Sequence, residues 1–447
     1  MKSRPVVLAS AALLALAALP ATAALTTSAA PSHSDNLALV ATDITGPGGT
    51  DIEFFSRTLT SYKTSADGDL LTGDAPVERH FALVGNQTSG AKIVDITDPE
   101  APFIASGIRD CTVGQGDPQV NAEGTLATIA YQTSGACRTE KGDLVRKGSA
   151  IVDLRDPYDP KVIGGAPETQ GSHNNTLHPG GRYLYISTSA LTPTNAPNTR
   201  IPVYDLQGWE SWESLAGPFQ PRLVQNFMVP GNGPHDIRFS DDGKRAYFAG
   251  VSAYWIVNTE DPEKPSIVST IVPPGGTIGH DTLVTPDKRF LFLGDEAGGG
   301  ATYPCPGGAV YVYDLTDERA PLMLGAVQAG GGPVVGRNLT DVPGSTRTGG
   351  CTSHVMELNP DKKSFTIAWY VLGTRVFDFS SFYNADGTPK PAAGIAAAWG
   401  QFGVGVTETA YMVPDRANTW SAKQYDKVPG YIFSDDINLG LYVSKIK

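Results

Sequence analysis

The chain has 447 residues, with 34 Lys and Arg against 46 Asp and Glu, and a net charge of −12. That acidic balance argues against nucleic acid, because phosphate binding needs a concentrated basic surface, and no basic run suited to anionic lipid occurs. Fifty Gly and 34 Pro mark a loop-rich protein, while 40% hydrophobic residues suffice for a large core. Residues 1–23 read as a signal peptide: Lys2 and Arg4, an apolar run from Val6 to Leu19, then Ala21, Thr22 and Ala23 as a cleavage site. The expectation is an exported protein whose residues 24–447 form one domain, a monomer with no membrane attachment after cleavage.

From Leu37 onward one phrase recurs. A short apolar strand ends in Asp, a turn carries Asp-Pro and a second Pro, and another apolar strand follows. Ile93, Val94 and Asp95 lead to Asp98, Pro99 and Pro102; Ile151, Val152 and Asp153 lead to Asp156, Pro157 and Pro160. Ile256, Val257 and Asn258 lead to Asp261 and Pro262, and Val312, Tyr313 and Asp314 lead to Asp317 and Pro321. Val203–Asp205 and Val376–Asp378 keep the strand with altered turns, and Leu441–Val443 is a seventh copy. Turn signals every 8–12 residues without a helical period predict four strands per unit, here A to D, and an all-β fold. Seven such units predict a seven-bladed β-propeller. The seventh lacks a strand D, so Leu37–Val40 is expected to complete the last blade and close the ring, which would otherwise expose sheet edges.

The apolar strand ending in Asp, with its Asp-Pro turn, resembles the LVIVD-repeat family of secreted bacterial propellers. The resemblance implies a propeller and little about activity.

Counting back from the turn after strand A aligns the units. His173, His235, His280 and His354 each stand eight residues before Gly181, Gly243, Lys288 and Lys362. Glu408 stands eight before Arg416, and Gly116 and Thr50 take the position in units two and one. With 7 His in 447 residues, chance would put about 0.1 at seven positions. Residues at the start of the innermost strand line the mouth of the central channel, where neutral imidazoles suit one transition metal ion: Fe, Cu, Mn or Zn. The alternative is a set of structural histidines, each bonding a backbone carbonyl. His178 and His80 lie off the register and read as structural. Glu408 is the expected general base or carboxylate partner.

Strand B ends on the same face. Its corner carries Asp295, Glu296, Asp435 and Asp436, expected either as partners of the ligands and of substrate or as ordinary Asp turns. Arg375 is a candidate contact for an anionic substrate or an Asp-paired residue. The longest loops, at 132–149, 187–200, 295–308 and 328–353, are expected on that face too. So are Cys111, Cys137, Cys305 and Cys351, for which proximity favours disulfides Cys111–Cys137 and Cys305–Cys351 over copper-thiolate ligation. The leading function is a secreted metalloenzyme, an oxidoreductase or lyase, acting on a small molecule or glycan. Its centre is similar in geometry to the four-His iron centre of carotenoid-cleaving oxygenases, and metal-dependent propeller lyases are a second likeness. The competing reading is a non-catalytic extracellular binding module.

Overall fold

The computed structural model describes residues 32–108, 116–168, 171–188, 198–251, 253–297, 307–329, 350–395 and 404–447. Seven four-stranded antiparallel sheets make a seven-bladed β-propeller. Blade one comprises Gly49–Tyr62, Leu71–Asn86, Gly90–Asp95 and Phe103–Ile108. Blade two comprises Pro118–Val120, Leu126–Arg138, Leu144–Asp153 and Lys161–Pro167; blade three, Asn174–Leu177, Tyr183–Ser187, Asn198–Asp205 and Arg222–Pro230. Blades four and five run Pro234–Phe239, Arg245–Gly250, Tyr254–Asn258, Ser266–Ile271 and Gly279–Val284, Phe290–Asp295, Ala309–Asp314, Leu322–Val327. Blade six holds Met356–Leu358, Ser364–Ala368, Thr374–Asp378 and Thr407–Val413, with Ser32–His33 as a fifth, outer strand. In blade seven, Thr419–Gln424, Tyr431–Asp436 and Tyr442–Ile446 are completed by Leu37–Ala41. Each A strand touches the next around the whole ring, and the last returns to the first.

The recurring Asp residues explain why the sequence repeats. At the end of strand C, Asp95, Asp153, Asp205 and Asp314 each accept the N–H two residues on through Oδ1. Three residues after Asp95, Asp153, Asn258 and Asp314, the side chains of Asp98, Asp156, Asp261 and Asp317 do the same. Two successive side-chain-capped turns therefore reverse the chain between strands C and D. The other Oδ of the first Asp takes an arginine that precedes strand B or lies within it, as in Arg79–Asp95, Arg182–Asp205 and Arg289–Asp314.

Closure follows the expected pattern. Leu37 pairs with Ile446, Ala38 with Lys445 and Leu39 with Ser444, and Leu37 is buried between blades with Met412, Ile432 and Tyr442. Two expectations are corrected. Residues 132–149 are largely a projecting hairpin, since Leu126–Arg138 and Leu144–Asp153 stay paired beyond the blade. Glu408 belongs to Thr407–Val413, the fourth strand of blade six counted from the channel, where it pairs with Phe377, and not to an innermost strand. The reason is local chemistry: Arg416 takes φ 59°, as Lys288 and Lys362 do at 55° and 58° after their Pro-Asp pairs. The same turn is used between blades at Pro414–Arg416, which imitates the turn after a strand A. Residues 1–23, Cys111, Cys305 and the side chain of Cys137 lie outside the described residues. Cys351 is fully buried, and no free cysteine occurs among the described residues.

A candidate metal centre at the channel mouth

The first residues of the A strands depart from regular pairing in a way that serves the channel. Strand A of blade four pairs Pro234 with Gly250 and then Asp236 with Ala249, so His235 is skipped. His280 is skipped in the same way in blade five, as is Trp420 in blade seven. In blade one the register jumps from Gly49 to Ile52 across Thr50. Such bulges re-aim a side chain that would otherwise alternate with its neighbours. His173 and His354 stand just before their strands, with their N–H groups donated to Ser187 and Ala368 of strand B.

These four bulged or leading histidines meet. Ring centroids are 3.9 Å apart for His173 and His235, 4.2 Å for His235 and His280, and 3.8 Å for His280 and His354. Nε2 of His173 lies 2.7 Å from Nε2 of His235. All four are at most 3% exposed. Burial pushes His173 and His354 down to about 3, and His235 and His280 well below the usual histidine range. The imidazoles are therefore neutral at pH 7. His354 Nδ1 donates to the Trp420 carbonyl at 2.6 Å, which leaves its Nε2 as a lone pair. Nδ1 of His173, His235 and His280 has no protein partner among the described residues. The structural alternative, in which each histidine bonds a backbone carbonyl, thus describes His354 alone.

Glu296 supplies the carboxylate that Glu408 does not. It follows strand B of blade five, and its Oε2 lies 3.8 Å from His235 Nε2 and its Oε1 3.7 Å from His354 Nε2. With neutral imidazoles these are not ion pairs. Tyr370 donates its hydroxyl to Glu296 Oε1 at 2.6 Å. Burial raises the Glu296 carboxyl to about 7, against the opposing Tyr370 hydrogen bond. His235, His280 and Glu296 each offer one ligand-type atom, all within 4.8 Å of one another.

The other expected site residues go elsewhere. Asp295 accepts the N–H groups of Thr277, Ile278 and Ala297, and Asp436 those of Asn418, Asn438 and Leu439, so both hold turns. Asp435 accepts the Thr50 N–H at 2.7 Å and ties blade seven to blade one. Arg375, fully buried in strand C of blade six, donates to the Leu372 carbonyl and to Glu408. His178 bonds the Gly243 carbonyl, and His80 bonds Ser56.

Sequence reasoning missed Trp420, which holds the register position assigned to Glu408 and packs on His354 with centroids 4.4 Å apart. Its signal was the strand Thr419–Gln424 that follows the Pro414–Arg416 turn. Also missed was the charged far end of the channel. There Asp51, Glu53, Asp236, Arg238, Glu357 and Lys423 line a cavity of about 410 Å³. Lys423 pairs with Asp51 and Glu53, and Arg238 with Glu357.

No protein-family model matches the chain, and no curated protein matches it. Similar solved structures include the β-propeller domain of Cps50 (Swd1) from Myceliophteria thermophila, at 8% identity and TM-score 0.51, covering 88% of this chain and 100% of that one. The periplasmic gluconolactonase PpgL of Pseudomonas aeruginosa matches at 14% identity and TM-score 0.47, over 85% and 98% of the two chains. A functionally unknown protein from Desulfotomaculum acetoxidans matches at 12% and 0.46, over 75% and 86%. These likenesses are of fold alone.

Proposed function

We propose that this propeller is an exported metalloenzyme, an oxidoreductase or lyase, that holds one transition metal ion at the channel mouth. His173, His235, His280 and His354 would be its nitrogen donors and Glu296 its carboxylate. The observation that carries the reading is the 2.7 Å approach of the His173 and His235 Nε2 atoms within a set of four neutral, buried imidazoles. Two such lone pairs repel unless a proton or a cation lies between them. Nitrogens about 2.1 Å from one ion are about 3.0 Å apart at a right angle, so the spacing fits a shared cation. An N-rich set with one carboxylate suits Fe, Cu, Mn or Zn.

When bound, such an ion supplies Lewis acidity or redox chemistry to a small-molecule substrate or glycan. The chain's own residues do the rest. Trp420 fixes the His354 tautomer through its carbonyl. Glu296 would offer Oε2 to the ion, with Tyr370 donating to Oε1. Thr50 and Gly116, joined by a 3.3 Å bond from the Thr50 hydroxyl to the Gly116 carbonyl, are the two small members of the seven-residue ring, and their side would leave the most room for substrate. Elemental analysis of the purified mature protein tests the reading: one transition metal per chain is expected, and metal-free protein that takes none up on incubation would overturn it.

A further inference from the structure

Among the described residues, six other than glycine adopt positive φ. Asp43 is of a type that tolerates it, and Lys288, Lys362 and Arg416 are the equivalent turn residues already described. The remaining two, Ala297 at 35° and Tyr370 at 41°, both belong to one hydrogen-bonded unit at the histidines. Ala297 follows Glu296 in the chain, and Tyr370 donates to the Glu296 carboxylate. A bulky buried aromatic in the left-handed region is costly, and persists only where its surroundings over-determine it.

Those surroundings come from three blades. The Tyr370 carbonyl accepts the N–H groups of Gly373 at 2.9 Å and Thr419 at 3.0 Å, joining the blade-six corner to the first strand of blade seven. Its ring meets His354 edge-on at 4.8 Å between centroids and Trp420 at 6.1 Å. Its hydroxyl reaches Glu296 of blade five. A glutamate carboxylate rotates freely about its last bond unless one oxygen is held. Here Oε1 is held, and the two oxygens then face His354 and His235.

We propose that Tyr370 is a positioning residue whose hydroxyl orients the Glu296 carboxylate toward His235 and His354, so that it serves the ion as an oxygen donor of fixed direction. This rests on the metal reading above.

The test is a Co²⁺ titration of the metal-stripped mature protein, followed by its visible absorption. Wild type is expected to bind one ion. Tyr370→Phe keeps the ring and its packing, and should weaken binding about 10–100-fold and alter the spectrum. In a Glu296→Ala background the same substitution should add nothing. Glu296→Gln is the second variant and should reproduce the spectral change. Wild-type affinity and spectrum in Tyr370→Phe, an equal loss in the Glu296→Ala background, or an unchanged spectrum in Glu296→Gln would each remove the role of Tyr370 while leaving the four-His centre standing. Failure of wild type to bind Co²⁺ would instead remove the metal reading, and the role of Tyr370 with it.

Discussion

His173 and His235 bring their Nε2 atoms to 2.7 Å although 62 positions separate them in the chain. Each comes from the start of a different blade, so the contact is made by the ring and not by any local motif. The consequence is that a single imidazole can be removed without touching a blade core. His235→Ala should retain the β-sheet circular dichroism of wild type and lose the metal. Metal content by mass spectrometry, measured beside wild type, checks this; equal content in both would exclude His235 as a donor.

Glu408 and Arg375 form an ion pair at 3.1 Å, with the Arg375 side chain fully buried. Removing the acid would leave that cation short of a partner in a low-dielectric site. Glu408→Ala is expected to cost about 3 kcal/mol of stability, read from the urea midpoint, without changing metal content. Glu296→Gln should show the opposite pattern, with near-wild-type unfolding and impaired metal binding or turnover.

The contrast between those two glutamates shows what the sequence could reveal. The blades were legible because most turns between strands C and D are capped by an Asp at a fixed place, and the four histidines were legible because they keep one distance from the turn after strand A. That ruler failed at Glu408, where Pro414, Asp415 and Arg416 build the same turn between blades. Glu296 was visible only as one acid of a strand B corner, since its contacts to His235, His354 and Tyr370 come from other blades. The pairing of Lys423 with Asp51 and Glu53 was illegible for the same reason: it spans blades seven and one.

Closure of the ring gives a stability prediction. Leu37 is 1% exposed and packs among Met412, Ile432 and Tyr442 at the junction of the last two blades. Leu37→Ala should cost roughly 2–5 kcal/mol through lost burial and the cavity left behind. Deleting 37–41 should do more, because it also unpairs the backbone of Tyr442–Ile446. Chemical denaturation of the two variants would show this ordering; a midpoint unchanged by the deletion would mean that the seventh blade is stable with three strands.

The cysteines are testable by peptide mapping of the unreduced protein. Links Cys111–Cys137 and Cys305–Cys351 are expected. Each would restrict the unfolded ensemble by closing one loop, contributing about 2–4 kcal/mol. Four free thiols after purification without reductant would refute both links.

Asp205 gives a prediction for the acid range. Its carboxyl is held below the usual carboxylate range first by the hydrogen bond from Arg182, with the Gln207 N–H and Arg222 adding to it against the opposing effect of burial. Because the folded value is depressed, the stabilisation is fully present above the unfolded value of about 3.9 and is lost as pH falls through the folded one. Both arginines are substantially exposed, at 43% and 62%, so solvent screens the pair and the effect is modest and salt-sensitive. Asp205→Asn removes the titration. The difference in melting temperature between wild type and this variant should stay constant from pH 7 to about 5 and shrink progressively below about 4. A difference that persists undiminished at pH 2 would show that the charge on Asp205 contributes nothing and that its turn-capping hydrogen bond to Gln207 alone accounts for the loss.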